Sequence, residues 1–508
     1  MRYFIFIFLS FIFSQGLNTN LKKNEKNKIL IESINNISIK EELFLFPLIN
    51  RTKRDQKINL FKNISRNLKL EPVLALRYSN SSFEIDNSNT PSDVTWITPG
   101  IHFEGQIPIL YNFTSMWIYF WADFYKHAAY GFNENSINHG KKLSQYNPIL
   151  SIEYYEPVDE SFKGIEFDEG QGGIAILNPN FNIIMGKLKS NLGPFFRDNL
   201  SISNSNPSFQ QFRINKKFQY KESQIYFTYL IGSLVSGIID SAKMNNYFLD
   251  IDDNIRRPNV ERYVALHRLD LKLKNNFRIG FYEKIIFGAR SIPFEYLNPI
   301  VPYWSIQHSL GDLDNLIMGF DFTYLFRNMR IIGSFFMDEW DPYKTFNKNN
   351  RNWFGYQLGL SYLPEAFTDK VLIQLEYTKL DPRVYNHRFD INTPSHHDYN
   401  LGFWTGGHAR DVWLSMVYFM SDFSSITLSL EDTKIGSQSI YNQYNDIDIE
   451  FLNEDTKDRK VVSFVYSNYK MKYFDYKIFI KSFNTANLGY NKESFFETSF
   501  SLFYNIPY

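Results

Sequence analysis

The chain of 508 residues contains no cysteine. That absence removes disulfides, thiolate nucleophiles and Cys-ligated zinc or iron–sulfur sites together, and it suits a protein that crosses an oxidising compartment without staples. Net charge is absent too, with 54 Lys+Arg against 54 Asp+Glu. No basic field is available to gather nucleic acid. Long hydrophobic runs are also missing: beyond the N-terminus no uncharged apolar stretch reaches the roughly 18 residues of a spanning helix, which excludes a helical membrane protein. The usual catalytic signatures do not occur. His396-His397 lacks the His-Glu-x-x-His spacing of a metalloprotease, there is no Gly-x-Ser-x-Gly elbow, and Gly170-Gln-Gly-Gly173 lacks the Gly-Lys-Ser/Thr ending of a phosphate loop. Glu166, Asp168, Glu169 and the pair Asp338-Glu339 could supply the two acids of a glycosidase. Acidic side chains are ordinary in loops and lumens, however, so the expectation is a non-enzymatic protein without a metal or cofactor.

What the chain has in abundance is aromatic side chains, 49 Phe and 34 Tyr in a composition 18% aromatic, and alternation with a period of two. Leu316, Met318, Phe320 and Phe322 fall on one face and Gly319, Asp321 and Thr323 on the other. A turn at Arg327-Asn328 and a second run, Met329 to Phe336, complete a hairpin. The same pattern recurs at Val371–Thr378, at Ser425–Glu431, across Ala265–Leu273 and around Tyr476–Lys481. In several of these strands one face carries charge, as at Arg268, Asp270, Lys272, Lys477 and Lys481, and the other is apolar. A soluble sandwich would alternate in the same way. A chain this long, built almost only of strands and bracketed by aromatics, fits a large transmembrane antiparallel β-barrel better, an all-β fold. Trp117, Tyr119, Trp121, Tyr303 and Trp304 are expected in its interfacial girdles.

The ends of the chain agree with this class. Arg2 followed by the apolar stretch Tyr3 to Phe13 and the small residues Ser14-Gln15-Gly16 reads as an export signal over residues 1–16. Residues 17–70 are rich in Asn, Lys and Ile, with Leu30, Ile34 and Ile37 at helical spacing, and read as a short helical periplasmic segment or as a linker. The barrel is expected over residues 71–508. Its last strand sets Phe496, Thr498, Phe500, Leu502, Tyr504, Ile506 and Tyr508 on one face, an aromatic ending that resembles the signal read by barrel-insertion machinery.

Several motifs, in order, resemble those of the Wzi family of capsule assembly proteins. They are Lys187-Leu-Lys-Ser-Asn-Leu-Gly193-Pro194 with the later Ser-Asn-Pro-Ser-Phe209, the strand Ala265-Leu-His267-Arg268-Leu-Asp270, and the bend Leu297-Asn298-Pro299. Asp314-Asn315 with Gly319-Phe-Asp321, Asp338-Glu339 and His397 through Asp411 follow. Leu192 stands where the family usually has Trp. The resemblance implies an outer-membrane barrel of about eighteen antiparallel strands. It also implies that the protein helps attach or assemble capsular polysaccharide at the cell surface, binding it as a lectin and without chemistry. Implied partners are the polysaccharide, outer-membrane lipid and the insertion machinery, with no nucleic acid. Trp340, Tyr385 and Trp404, in stretches rich in aromatics, Asn and Asp, are the candidates for stacking on sugar rings. Gly193, Pro194, His267, Arg268, Asn298, Pro299 and Asp321 are motif positions without an assigned role. The alternative is a porin or substrate-specific channel, since charged lumen residues suit an open pore as well as a plugged one.

Overall fold

Alternating polar and apolar residues become a wall with two unlike faces only if every strand finds two neighbours. A computed structural model describes the chain from Leu68 to Tyr504, apart from parts of its connections, the longest being 131–153. The expected export signal, residues 1–16, and residues 17–67 of the expected helical segment lie outside the described residues, as do residues 505–508, while the segment's last three residues, from Leu68 to Leu70, already belong to the first strand. Eighteen strands close into one ring. The first nine are β1 (Leu68–Ser79), β2 (Val94–Pro108), β3 (Trp117–Tyr130), β4 (Gly164–Asn178), β5 (Phe181–Leu188), β6 (Phe209–Tyr220), β7 (Ser223–Ile239), β8 (Asn259–Leu273) and β9 (Phe277–Gly288). The second nine are β10 (Asn315–Phe326), β11 (Met329–Glu339), β12 (Trp353–Tyr362), β13 (Val371–Leu380), β14 (Ala409–Ser421), β15 (Ser424–Ile435), β16 (Lys457–Asn468), β17 (Phe474–Ala486) and β18 (Ser494–Tyr504). Each pairs antiparallel with the next, and β1 closes on β18 from Val73 opposite Phe503 to Ser79 opposite Glu497. A short extra strand, Tyr154–Val158, occupies the edge of β4 that the short β5 leaves free.

The connections differ sharply between the two ends. Two-residue connections, 179–180, 221–222, 327–328 and 422–423, join strands at one end, together with both termini of the barrel. The long segments 131–163, 189–208, 289–314, 381–408 and 436–456 all lie at the other. Outer-membrane barrels have short periplasmic turns and longer extracellular loops, so the long segments mark the outer end.

The burial pattern is inverted relative to a soluble protein. In β10, Ile317, Asp321 and Thr323 are buried, whereas Leu316, Met318, Phe320 and Phe322 on the opposite face are only partly covered. Leu269, Leu273, Leu428, Leu430, Val462 and Ile480 are exposed on the outside, while Arg268, Asp270, Lys272, Ser429 and Lys477 are buried inside. An apolar band facing outward around a polar interior is what lipid requires. Tyr220, Tyr324, Tyr362, Tyr418, Tyr466 and Tyr476 stand at the short-turn ends of their strands on the outer face and form a girdle there. Tyr119 and Trp121 do not belong to it. Their side chains are buried on the lumen side, where the Tyr119 hydroxyl donates to Glu104 at 2.6 Å, and Tyr303, in the segment 289–314, is buried against the outside of the wall.

Leu428, four residues above the periplasmic end of β15 and 43% exposed, tests the register. Leu428→Arg is expected to cost roughly 2–4 kcal/mol near the bilayer midplane, as charges on the lipid face of such barrels do. The neighbouring lumen change Thr427→Arg should be milder in denaturant unfolding from vesicles. A larger cost for Thr427→Arg would shift the assigned faces by one residue.

Candidate functional site: a filled lumen and its outer mouth

Strand β5 is only 8 residues long. After Leu188 the chain leaves the wall and turns into the lumen as the segment 189–208, a first plug. Its exit is fixed by Gln211, which accepts from the Ser190 hydroxyl at 2.6 Å and donates to the Leu188 carbonyl at 2.8 Å. A bridge between Leu192 and Ile202 narrows the segment. At its tip Gly193 has φ +144°, and a Cβ there would collide with the side chain of Asn199. That side chain accepts the Phe195 N–H at 3.0 Å. Only glycine fits this turn without strain.

Six wall strands then hold the tip. Lys284 on β9 donates to the Ser201 carbonyl at 2.7 Å, Arg330 on β11 to that of Pro194 at 2.8 Å, and Gln357 on β12 to that of Asp198 at 3.0 Å. Glu376 on β13 takes the N–H groups of Phe196 and Arg197, one on each oxygen, at 2.8 and 2.9 Å. Arg197 itself reaches Asp411 on β14 at 2.6 Å and Glu431 on β15 at 3.0 Å. Charge-assisted bonds of this kind are the strong ones in a site removed from water.

The segment 381–408 enters beside it as a second plug. Arg262 on β8 donates to the carbonyls of Ile391 at 2.6 Å and Asp390 at 2.7 Å. Asp338 on β11 accepts the Tyr385 N–H. His396 accepts the Val235 N–H on Nδ1 at 2.9 Å, so its Nε2 carries the proton toward the Ser208 carbonyl at 3.1 Å. The two plugs are bonded to each other. Ser203 N–H donates to Leu401, the Tyr385 hydroxyl to Leu200, and the Trp404 N–H to Asp198. An apolar core of Leu200, Tyr385, Phe403 and Trp404 with wall residues Phe336 and Trp353 seals the join. Beneath Gly193 and Pro194, against Arg268, Arg278 and Asp321, remains a cavity of about 10 Å³. That is room for about one water.

Burial of the Asp198 carboxyl pushes its pKa up to about 8, opposed by the hydrogen bonds it accepts from Ser205 and Trp404. Burial, with His397 alongside, holds His396 well below its ordinary 6.5, so it is neutral. Both groups therefore sit uncharged in the plug near neutral pH.

The residues singled out from sequence divide among three places. Gly193 and Pro194 form the plug tip. Arg268 and Asp321 form a lumen network with Asp270, in which the Arg268 guanidinium makes four contacts of 2.6–2.8 Å to the two carboxylates. His267, Asn298 and Pro299 belong to the outer wall and the segment packed on it. Of the three stacking candidates, Trp340 is exposed at the extracellular end of β11, whereas Tyr385 and Trp404 are buried in the second plug. The guanidinium groups of Arg197, at 5.6 Å, and Arg459, at 4.9 Å, both approach the Trp404 ring. Leu192 is buried with Ile202, Phe209 and Leu230 at the root of the first plug. Asp168 and Asp338 cannot pair as glycosidase acids, since Asp168 is exposed and bonded to Lys126 while Asp338 is buried inside. Among the described residues no group of three or more His, Asp or Glu could hold a metal ion. Sequence reading missed Arg197, Glu376, Asp411 and Glu431. Their signal was charge at lumen-facing positions, but their common partner was not visible.

Fold and site together define an outer-membrane β-barrel with two of its own extracellular segments bonded to the inner wall between β7 and β15. The chain belongs to the capsule assembly protein Wzi family, whose model matches residues 120–479. Among solved structures it is similar to Wzi of Escherichia coli, a protein involved in group 1 capsule assembly and described as a carbohydrate-binding β-barrel. The two share 10% identity and a TM-score of 0.48, over 86% of this chain and 84% of that one. It is also similar to OccAB4 of Acinetobacter baumannii (9% identity, TM-score 0.45, 87% and 98% covered). OpdK of Pseudomonas aeruginosa, solved with vanillate, is a further likeness (8%, 0.45, 87% and 100%). At these identities and scores the structural likenesses carry no argument about ligands. No curated protein sequence matches the chain significantly.

Removing Arg197 leaves Asp411 without its close cation, and breaking a buried pair from one side costs roughly 3–5 kcal/mol. Arg197→Ala is therefore expected to loosen the first plug and to give channel openings in planar bilayers that the parent protein lacks. Unchanged silence would remove Arg197 from its role as the plug's anchor.

A pH dependence follows from Asp198. Its folded pKa lies above the unfolded value of 3.8, so the seated plug loses stability as pH rises from there to about 8 and levels off above. The slope for one group is at most about 1.4 kcal/mol per pH unit. Between pH 6.5 and 8 opening frequency should climb, with the loss of the His396 proton in the open state opposing the climb mainly in the lower part of that range, and Asp198→Asn should flatten the climb. A profile identical in the variant would assign the dependence elsewhere.

Proposed function

We propose that this barrel retains capsular polysaccharide at the cell surface as a lectin, performing no chemistry on the polymer. Membership of the capsule assembly family carries the reading. The two inward segments support it from a second side: a porin needs a continuous water path, and here both segments are bonded across the inner wall between β7 and β15, where they narrow any such path. On this reading glycan contact belongs to the outer mouth. Trp340, exposed at the rim, is the stacking residue of choice there, while Tyr385 and Trp404 act by keeping the plug seated. Outer-membrane lipid surrounds the apolar band. The insertion machinery reads the closing strand β18, whose Phe496 and Phe500 face outward.

Deleting the gene should leave polymer synthesis intact while moving polysaccharide from the cell-bound to the released fraction. Trp340→Ala should shift the bound-to-free ratio in the same direction with the folded barrel at normal abundance. Trp404→Ala should instead produce openings in planar bilayers, as Arg197→Ala does. An unchanged ratio in the deletion strain, together with a stable open conductance of the purified parent protein, would replace this reading with the channel.

A further inference from the structure

The segment 289–314 does not enter the lumen. It folds back over the outside of the wall, covering Ala265, Ile285 and Phe287 with Tyr296, Tyr303 and Ile306 from a 3-10 turn, Phe294–Leu297, and a short helix α1, Tyr303–Ser309. The covered side chains all lie on the face that elsewhere meets lipid. Between them sits a hydrogen-bonded polar pair in an unexpected place, His267 Nε2 to Glu283 at 2.9 Å, on the outer face of β8 and β9. Glu283 also accepts the Tyr303 N–H at 2.7 Å, and the His267 ring stacks on that of Tyr303 at 4.3 Å. The bend at Asn298-Pro299, closed by the Asn298 side chain accepting the Ile300 N–H at 3.0 Å, brings the chain from the 3-10 turn toward the helix.

The other side of this segment is apolar and uncovered. Phe294 is 86% exposed, Ile300 83% and Trp304 56%, with Leu297, Val301 and Leu313 beside them. Its height decides what covers it. Glu283 lies six residues from the periplasmic start of β9. At about 3.3 Å per residue and a tilt near 40°, that is roughly 15 Å up an apolar band about 25 Å tall. A segment anchored there lies at outer-leaflet depth, in place of the wall it hides. It also exposes Glu295 and a His308–Asp312 pair at 3.4 Å. Mixed apolar, aromatic and charged surface belongs at a membrane interface.

We propose that segment 289–314 is an outer-leaflet anchor, latched to the barrel wall by His267 and Glu283 and seated through Phe294, Ile300, Val301 and Trp304 among the acyl chains next to the headgroups. The latch also shields the His267–Glu283 pair, which bare hydrocarbon would not tolerate.

The cysteine-free chain allows a direct test. Spin labels are placed at Ile300→Cys, at Leu428→Cys as a lipid-facing reference, and at Tyr343→Cys, 99% exposed, as a water-facing one, in purified protein in phospholipid vesicles. At Ile300 the ratio of collisions with oxygen to collisions with a water-soluble nickel complex should be several-fold above that at Tyr343 and comparable to that at Leu428. A ratio like that of Tyr343 overturns the anchor. So does shielding from both reagents with spin–spin broadening that vanishes on dilution with unlabelled protein, because a second copy would then cover the face. In the Glu283→Ala background the Ile300 label should become more mobile while heat-modifiable migration of the barrel is retained. Unchanged mobility would remove His267 and Glu283 as the latch.

Discussion

Backbone hydrogen bonds have no water to turn to in a bilayer, and that single constraint generates the rest of this structure. A sheet of this size can enter lipid only if it has no edge, so β1 must pair with β18. Once the ring is closed, one face of every strand is committed to hydrocarbon and the other to the interior. Within the apolar band, charge left without a cover can go only inward. Interior charge in turn must find partners, because an ion taken from water and left unpaired costs several kcal/mol. Some pairs are made within the wall, as at Arg268 between Asp270 and Asp321 or Arg77 with Glu497. Others are completed by the plugs, which offer backbone carbonyls to Lys284, Arg262 and Arg330 and backbone N–H groups to Glu376.

The plugs consequently do more than obstruct. The first is bonded to six strands from β9 to β15, and the second joins β8 and β11 to the first. Protein of irregular shape is tolerated at membrane depth only where it is buried inside such a ring. The rim at Trp340, where glycan contact is proposed, is presented by the end of a strand whose last inward carboxylate, Asp338, grips the second plug.

The strands were legible because a period of two survives any register, and the lipid face announced itself in runs such as Leu269, Leu271 and Leu273. Trp117, Tyr119 and Trp121 show where the reading stopped short. Their alternation places them on one face but does not say which. The same odd series continues into Asp123 and His127, both buried inside, and that continuation was the available signal. The plugs were less accessible. Segments 189–208 and 381–408 have no period, and their Asn, Ser and aromatic content is that of an exposed loop. Tyr385 and Trp404 therefore read as surface residues, although their surroundings are Leu200, Phe336 and two guanidinium groups. Only partners distant in sequence distinguish the two situations.

Two dipeptides tie the inside of the barrel to the outside. In His267-Arg268 the first side chain faces outward onto Tyr303 and the second inward to Asp270 and Asp321, beneath the plug tip. In Glu283-Lys284 the first accepts the Tyr303 N–H outside and the second donates to the Ser201 carbonyl inside. Adjacent residues of a strand point to opposite faces, so consecutive charged residues in a lipid-facing strand force one of them outward. Such a residue needs either a water-filled setting or a cover, and segment 289–314 is the cover. The same neighbouring positions on β8 and β9 thus hold an extramural segment and a lumen plug across the thickness of a single strand. A register slip of one residue in either strand would exchange the two sets of contacts and satisfy neither. The motif His267-Arg268 and the bend at Asn298-Pro299, far apart in sequence, meet in this one region because both serve the wall between the two segments.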